Sequence, residues 1–456
     1  MSYTQGFQQS NTTFNDKPEM AGFRAQLQGA GLNGLNGLNG FNRRRFVHMV
    51  LVSWLGFVIS ELAACVGNDD NEGKESSPST ALSVDEGVTG NEAVDSKTDS
   101  PISEVFVVRD TDGTDDGVAR LIGLMQQNQL SFYKQQGDGQ GLIASDDVVI
   151  VKVNCQWAER GGTNNDLLRS LIEAIVDHPD GFTGEVVVAD NGQAQYGTKG
   201  RGGSLDWSDT NAADKKLSAL DVVNSFKQRA KVSASLWDEF TMQKVAEFSE
   251  GDTSNGFVVD SSPSPNGIVV SYPKFTSEYG TQISFREGIW DKEAARYDSN
   301  RLKVINLPVL KVHGMYQVTG AVKAYMGTTA SRLTNQSSHN SVGSGGMGTQ
   351  LAQTRMPAIN IMDMVWVGLL RGPNTSYQDA VQNNMLAAST DPVALDWWCA
   401  RNVLMPLALA KGVNTQRMDP DSLSPGTFGY WLNLTADELR AAGHSANHGT
   451  EVAVYE

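Results

Sequence analysis

Three lysines and a histidine that follow apolar runs are the residues of this sequence best placed to do chemistry. Lys311, His313 and Lys323 come shortly after one such run, and Lys152 ends an earlier one. Lysine ammonium groups that converge form a pocket for a carboxylate or a phosphate, because each supplies a compact charge with three donors. A histidine, with an unperturbed pKa of about 6.5, suits acid–base catalysis or metal ligation. We therefore predict that Lys311 and His313 are catalytic and that Lys152 and Lys323 bind the substrate, a small anionic molecule.

Asn154 and Thr319 extend the predicted substrate site. Asn154 lies two positions after Lys152, so the two side chains share one face of a strand. Thr319 lies beside the start of a helix predicted near Gln317, whose backbone N–H groups are suited to an anion. We predict that both side chains contact the substrate. The competing interpretation is that the three lysines lie apart on the surface.

Three aspartates near strand ends and helix starts are candidate metal ligands: Asp190, Asp363 and Asp391. Two carboxylates together with His313 would form a site for magnesium, manganese or zinc, so a divalent metal is a candidate cofactor. Asp391 has a second interpretation, which we favour, because it precedes a proline in the position of a helix N-cap. Asp396, one turn later, is either a ligand or the buried partner of a lysine.

These residues require a sheet whose strands end at one edge. Residues 146–154 contain an unbroken run of β-branched residues, typical of a strand buried on both faces in a parallel sheet. A helical pattern over 167–178 and a strand over 185–192 complete a βαβ unit. The run at 302–307 ends at Pro308, which cannot donate to a central ladder. Because ligands in open α/β sheets bind beyond the carboxyl ends of the strands, we predict an α/β fold with a mostly parallel central sheet, helices on both faces and an inserted smaller lobe.

Composition divides the chain into four predicted parts. These are an export signal over 1–65, a disordered acidic linker over 66–104, an α/β domain over 105–410 with an insertion at about 193–300, and a C-terminal extension over 411–456. The linker is rich in Asp, Glu, Ser, Gly and Thr and has few large apolar residues. It therefore lacks the apolar surface that a packed core needs.

The N-terminal part resembles a twin-arginine export signal that ends in a lipobox. Arginines at 43–45 precede Phe46 and an uncharged stretch, 49–60, which has the length of a signal h-region and is short for a bilayer span. Residues 62–64, Leu-Ala-Ala, then precede Cys65, which is predicted to be lipidated. We therefore predict an exported protein of the periplasm or cell envelope that is attached to the membrane only through this lipid anchor. A buried helix with a basic flank is the alternative.

Charge and cysteine content exclude several classes of function. The formal net charge is −16, so the chain lacks the basic footprint of a nucleic-acid binder, and no nucleic-acid partner is expected. The sequence has three cysteines and no Cys-x-x-Cys motif. Neither an iron–sulfur cluster nor a zinc ribbon is therefore expected. Cys155 and Cys399 lie in apolar contexts and are predicted to be buried free thiols.

Four segments resemble the family named domain of unknown function 362, in that family's order: 149–154, 306–313, 319–327 and 389–396. The Lys-x-His motif that starts at Lys311 and the Thr-Gly-Ala-x-Lys motif after it are the most specific parts. The resemblance implies the fold and the site of that family but no reaction. Many relatives carry an iron–sulfur ferredoxin segment, for which this chain lacks the cysteines, so it resembles an exported branch without the cluster.

Two hypotheses for function stay open at this point. The first is an exported, lipid-anchored α/β enzyme that acts on a small anionic substrate, with a metal as a candidate assistant. The second is a non-catalytic lipoprotein that binds its ligand with the same lysines. Convergence of Lys152, Lys311 and Lys323 on one cleft is required by both, because a small ligand cannot bridge distant amines.

Overall fold

The computed structural model describes residues 102–456, except 138, 194–201, 263, 265 and 371–373. The predicted export signal, the lipidation of Cys65 and the linker as far as residue 101 lie outside the described residues. Within the described part, no helix is long and apolar enough to cross a membrane.

Short strands and helices alternate along the described chain. The strands are β1 (Ser103–Arg109), β2 (Tyr133–Lys134), β3 (Ile143–Ala144), β4 (Val148–Lys152), β5 (Glu185–Asp190), β6 (Lys231–Leu236), β7 (Gly256–Asp260), β8 (Val270–Thr276), β9 (Gln282–Ser284), β10 (Gly288–Asp291), β11 (Arg296–Asp298), β12 (Leu302–Asn306), β13 (Val309–His313), β14 (Gln317–Thr319), β15 (Ile359–Gly368), β16 (Ala380–Ser389) and β17 (Val452–Tyr455). The α-helices are α1 (Gly117–Gln127), α2 (Asn165–Val176), α3 (Ala219–Phe226), α4 (Ala321–Ala324), α5 (Ser337–Asn340), α6 (Gly346–Gln353), α7 (Pro392–Cys399), α8 (Met405–Ala410) and α9 (Phe428–Ala441).

One large mixed sheet organises the fold. Its strand order is β17-β1-β16-β15-β12-β4-β5-β6, and β13 and β14 extend it beside β15. Strand β16 is antiparallel to both of its neighbours, whereas the other pairs along this order are parallel. The carboxyl ends of β4, β5, β12 and β15 therefore meet at one edge. This confirms the predicted α/β fold with a mostly parallel central sheet.

Helices cover both faces of the central sheet because strand β4 is apolar on both sides. Val149 and Val151 face a core that includes side chains of α1, α2 and α3. Ile150, between them, faces the opposite core, which includes side chains of α4, α7 and α9. Alternate residues of a strand point to opposite faces, so an unbroken aliphatic run requires cover on both. The predicted placement of helices on both faces is confirmed.

A second, antiparallel sheet lies within the region predicted as an insertion. Its strand order is β11-β10-β9-β8-β7. Phe257, Tyr272 and Phe275 of this sheet belong to the same apolar cluster as Ile150 of the central sheet. The smaller sheet therefore shares a core with the main one.

The βαβ unit predicted around β4 is present. Strands β4 and β5 are parallel neighbours, and α2 connects them. Asn164 is the N-cap of α2, and its side chain accepts hydrogen bonds from the backbone N–H groups of Asp166 and Leu167. This cap satisfies donors that the first helical turn leaves unpaired.

The strand that carries the predicted catalytic residues breaks at Pro308. Before the break, β12 pairs with both β4 and β15, and after it β13 pairs with β15 and with β14. The prediction of a helix near Gln317 is wrong, because Gln317–Thr319 forms strand β14 opposite β13 and α4 begins at Ala321. The break at Pro308 therefore separates β13 from the end of β4 and leaves room between them.

Candidate functional site

A pocket of about 380 Å³ lies beyond the carboxyl ends of β4 and β5, next to β13, β14 and α4. We call it the lysine pocket. Six of the side chains that line it are polar or charged residues singled out from the sequence: Lys152, Asn154, Asp190, Lys311, Thr319 and Lys323. The structure thus brings the three predicted lysines together. Their convergence follows from the sheet, because parallel strands present their carboxyl ends at the same edge.

Lys152 and Asp190 form a buried ion pair at the base of the lysine pocket. The Lys152 Nζ lies 3.0 Å from Asp190 Oδ1, and both side chains are almost fully buried. The same Nζ donates to the backbone oxygen of Val153 at 2.8 Å, and Asp190 Oδ2 accepts from the N–H of Cys155 at 2.8 Å. Asp190 therefore neutralises one lysine of the three.

Lys311 is buried and has no carboxylate in ion-pair distance among the described residues. Its side chain is 2 % exposed, and its Nζ donates to the backbone oxygen of Gly161. Burial, together with the charges of Lys323 and Lys152, lowers the pKa of Lys311 to about 7 against the opposing effect of Asp190. Near neutral pH this amine is therefore present in both protonation states.

Lys323 extends from α4 toward the same space and is half-buried. Within the described part of the chain its Nζ forms neither a hydrogen bond nor an ion pair, and it lies 5.8 Å from the centre of the Tyr316 ring. Burial lowers the pKa of Lys323 to about 8, with a contribution from the charge of Lys152. Its ammonium is thus available to a ligand.

Thr319 and Asn154 occupy the two sides of the lysine pocket. The Thr319 hydroxyl is buried and finds no hydrogen-bond partner in the described structure. Such a group costs free energy unless a ligand or water pairs with it. Asn154 Oδ1 accepts from the N–H of Val309 at 3.2 Å, which satisfies the first donor after the strand break. Asn154 therefore holds β13 in place as well as lining the pocket.

His313 is held as a neutral donor and is not among the described residues that line the lysine pocket. Its Nδ1 accepts from the backbone N–H groups of Met315 at 3.2 Å and Tyr316 at 3.1 Å, so the remaining proton belongs on Nε2. Burial lowers the pKa of His313 to about 2, with help from the charges of Lys323 and Lys311. The predicted acid–base role of His313 finds no support in this geometry, since its basic nitrogen stabilises the turn between β13 and β14.

The aspartates predicted as metal ligands do not come together. No group of three or more His, Cys, Asp or Glu side chains suited to a metal ion occurs in the described residues. Asp190 pairs with Lys152, as described above. Asp363 Oδ2 accepts from the N–H of Asn164 at 2.9 Å, and its Oδ1 accepts from the N–H of Val365 at 3.1 Å. Burial raises the pKa of Asp363 to about 6, against the opposing effect of these bonds.

Asp391 serves as a helix cap, the alternative that its sequence context favoured. Its Oδ1 accepts from the N–H groups of Val393 at 2.8 Å and Ala394 at 3.2 Å at the start of α7. Its Oδ2 accepts from the Ser103 hydroxyl and from the N–H of Asn447, both at 2.7 Å. Oδ1 therefore caps α7, and Oδ2 joins residues near the two ends of the described chain.

Asp396 has a role that the sequence did not reveal. Its carboxylate accepts from the N–H of Ala321 at 2.5 Å and of Val322 at 3.0 Å, at the start of α4. A Cβ on Gly320 would overlap this carboxylate, so only glycine leaves room for the contact. The backbone donors of α4 are thus occupied by Asp396, which corrects the expectation that they bind an anion.

Gly327 is a second residue whose importance shows only in the structure. A Cβ at this position would overlap Asp190 Oδ1 and lie 2.8 Å from Lys152 Nζ. The backbone after α4 therefore packs directly on the ion pair. The only signal in the sequence was a glycine shortly after the lysine of the Thr-Gly-Ala-x-Lys motif.

The arrangement is cationic in a protein that is acidic as a whole. Among the described residues that line the lysine pocket, Asp190 is the one acidic side chain, and it is paired with Lys152. Neither Lys311 nor Lys323 forms an ion pair with a carboxylate among the described residues. Chemically, the site can hold an anion and can exchange a proton near neutral pH through Lys311.

A family model matches the segment of the chain that carries part of this site. Searches of curated proteins and of solved structures found no match. The resemblance noted in the sequence is confirmed over 291–401, a range that carries Lys311, Thr319 and Lys323, whereas Lys152 and Asp190 lie outside it. Over residues 291–401, the chain matches the model of DUF362, a domain of unknown function.

Proposed function

We propose that the lysine pocket binds a small anionic molecule and that the protein is an enzyme acting on it. The observation that carries this proposal is the convergence of Lys152, Lys311 and Lys323 on one pocket with a single, already paired carboxylate. Like charges brought together away from water are unfavourable, so an anion that enters between them relieves repulsion.

Lys311 is the side chain best suited to catalysis in this proposal. A general acid or base works best when its pKa lies near the working pH. The pKa of Lys311, lowered to about 7 by burial and by neighbouring lysines, meets that condition. His313 does not, because its Nδ1 is engaged by two backbone donors. The proposed reaction is therefore a proton transfer by the Lys311 amine or a covalent step at it.

A non-catalytic binding protein is the second candidate. The observation that favours it is that His313 Nδ1 accepts two backbone hydrogen bonds and so has no lone pair left for catalysis. The lysines alone would suffice to hold an anion. The two candidates differ in the fate of the ligand. A compound that returns chemically unchanged after long incubation with the protein supports the binder, and a changed compound supports the enzyme.

Isothermal titration calorimetry with phosphate and with lactate tests the anion site. We expect wild-type protein to bind at least one of the two anions and Lys323→Met to bind it at least tenfold more weakly. Lys292→Met is the matched control, because Lys292 is an exposed lysine of the β10–β11 turn. Equal affinity in all three proteins, or no binding of either anion to wild type, contradicts the proposal.

We also propose that the chain is exported and anchored through Cys65. The support is the order of arginines, apolar stretch and cysteine in the sequence. Mass spectrometry of the mature N-terminus tests it. A lipid-modified N-terminal Cys65 is the expected result, and loss of membrane association in Cys65→Ser is the expected consequence. An intact Met1 on the native protein contradicts it.

A further inference from the structure

Lys311 and Thr319 face each other across the β13–β14 hairpin. They are directly paired in its register, so both side chains project from the same face of the hairpin. Both line the lysine pocket. One member of the pair is a buried amine and the other is a buried hydroxyl without a partner in the described structure. An amine beside an unpaired hydroxyl is an arrangement suited to covalent chemistry.

The surroundings of Lys311 match those that make a lysine nucleophilic. An amine attacks a carbonyl only in its neutral form, which burial and nearby cations favour. Lys311 is buried, faces a pocket that also contains Lys152 and Lys323, and forms no ion pair among the described residues. Its bond to the Gly161 oxygen uses an N–H and leaves the nitrogen lone pair free.

The other two lysines are less suited to this role. Lys152 lies 3.0 Å from Asp190 and donates to the backbone oxygen of Val153, so its Nζ is already engaged by two acceptors. Lys323 is half-buried, and its unpaired ammonium is placed to receive a negative group. The pocket thus offers Lys311 as a nucleophile and Lys323 as a partner for negative charge. This pair of roles points to a ligand with a carbonyl beside an anionic group.

We propose that Lys311 forms a Schiff base with a short 2-oxo acid whose carboxylate pairs with the ammonium of Lys323. This inference rests on the proposed binding of anions in the lysine pocket. It adds the substrate class and the covalent step. A short chain is required because the backbone at Gly327 packs directly on the Lys152–Asp190 pair and closes one side of the pocket.

The chemical step is a condensation with loss of water. The Lys311 nitrogen forms a bond to the keto carbon, while the carbonyl π electrons move to oxygen, which takes up a proton as the nitrogen loses one. The Thr319 hydroxyl donates a hydrogen bond to that oxygen. The carbon–oxygen bond then breaks, the nitrogen lone pair forms the carbon–nitrogen double bond, and the oxygen leaves as water after a second protonation. No oxidant or reductant is consumed.

Reductive trapping of pyruvate tests the proposal. Full-length protein is incubated with pyruvate and sodium cyanoborohydride, which converts an imine into a stable secondary amine. We expect one adduct per chain by intact-mass measurement and peptide mapping that assigns it to Lys311. Lactate has the same carboxylate but a hydroxyl in place of the carbonyl. It is expected to bind, to form no adduct, and to compete with trapping of pyruvate.

Variants separate a specific adduct from random modification. Lys311→Met, in which a side chain of similar length fills the buried site, is expected to lose the adduct. Lys323→Met is expected to slow trapping at least tenfold, because the carboxylate loses its partner. Lys292→Met is expected to match wild type. Circular dichroism of each variant checks that it is folded, and peptide mapping on wild type does not depend on any variant.

Each outcome bears on a different part of the proposal. If phosphate, lactate and pyruvate all fail to bind wild type, the proposed anion site fails and the Schiff base fails with it. If phosphate binds and neither carboxylate does, the 2-oxo acid assignment is overturned while anion binding stands. If both bind but pyruvate leaves no adduct, the covalent step is overturned while anion binding stands. An adduct that maps to another lysine, or that persists in Lys311→Met, also overturns the assignment.

Discussion

Two buried lysines in this protein, Lys274 and Lys311, have opposite environments. In the smaller sheet, Lys274 Nζ lies 2.6 Å from Asp252 Oδ2 and 3.1 Å from the Ser254 hydroxyl. It also lies 4.1 Å from the centre of the Phe248 ring. Lys311, in the lysine pocket, donates to a backbone oxygen and has no carboxylate partner among the described residues. Burial alone therefore does not distinguish the two lysines, whereas the presence or absence of a carboxylate partner does.

The contrast extends to the energetics of each site. A buried charge with good partners adds to the stability of the fold, and removing one partner is costly. A buried charge without partners is retained at a cost, which a ligand can remove. Lys274 thus has satisfied polar partners in the smaller sheet, whereas Lys311, at the edge of the central sheet, forms no ion pair among the described residues.

The largest expected effect comes from substituting the two lysines by methionine. We expect Lys274→Met to lower the free energy of unfolding by about 2 kcal/mol, because Asp252 and Ser254 lose their buried donor. We expect Lys311→Met to leave the free energy of unfolding unchanged or higher, because an unpaired buried amine is replaced by an apolar chain. Urea unfolding measures both. Equal destabilisation of the two variants would remove the distinction between them.

Gly327→Ala is expected to damage the lysine pocket through its ion pair. The added Cβ would overlap Asp190 and approach Lys152. Overpacking of this kind costs about 1–3 kcal/mol, and the shifted pair is expected to weaken anion binding about tenfold. Gly251→Ala is the control for adding a methyl group at a glycine, because nothing lies within 4 Å of a Cβ there. Its positive φ of 77° adds backbone strain, but the site lies outside the lysine pocket. Unchanged anion affinity in Gly327→Ala contradicts the packing argument.

The pH dependence of the lysine pocket is expected to run in two directions. Protonated lysines hold the anion, so affinity should be highest below about pH 7 and fall as pH rises through the pKa values of Lys311, about 7, and Lys323, about 8. Stability without ligand should rise over the same range. The lowered pKa values mean that the unfolded chain binds more protons than the folded one between pH 7 and the ordinary pKa of lysine, about 10.4.

Calorimetry at several pH values and urea unfolding without ligand measure these trends. Proton uptake on anion binding near pH 8, detected by repeating the titration in buffers of different ionisation enthalpy, gives an independent check. An anion affinity that is constant from pH 6 to pH 9 contradicts the assignment of Lys311 and Lys323 as receptors.

The smallest expected effect concerns the cap of α4. Burial raises the pKa of Asp396 to about 7 against its two backbone bonds, so a neutral side chain is nearly tolerated there. We expect Asp396→Asn to cost about 0.5–1 kcal/mol, since the amide oxygen retains one acceptor for the helix start. Asp396→Ala, which removes both acceptors, should cost more. Thermal unfolding measures the stability of both variants. An equal loss of stability would show that the acceptor retained in Asp396→Asn contributes nothing.

The sequence was informative where the chemistry depends on strand ends. The apolar runs before Lys152 and Lys311 predicted a shared edge, and the strand order confirms it. Pro308 predicted the end of a strand. These inferences succeed because strand period and proline geometry are local properties of the chain.

The parts that the sequence did not predict depend on register and on distant partners. The three residues of β14 are too few to show a period of two, so the sequence pattern there favours the start of a helix. Asp190 lies beside Lys152 only because Lys152 pairs with Ala189 in the β4–β5 register. Asp396 reaches Ala321 across 75 positions of chain. No local pattern encodes such contacts, which the packing of the whole sheet decides.

The strand break at Pro308 has a consequence for how this fold can change. Before Pro308, β12 pairs with a strand on each side. After Pro308, β13 pairs with β15 on one side and with β14 on the other, and this hairpin forms one wall of the lysine pocket. The turn of that hairpin is exposed, with Met315 at 63 %. Lengthening the turn would raise the wall without moving Lys152, Lys311 or Lys323. The fold thus separates the depth of the lysine pocket from the lysines themselves, so insertions in this turn can change the depth while the charged side chains keep their places.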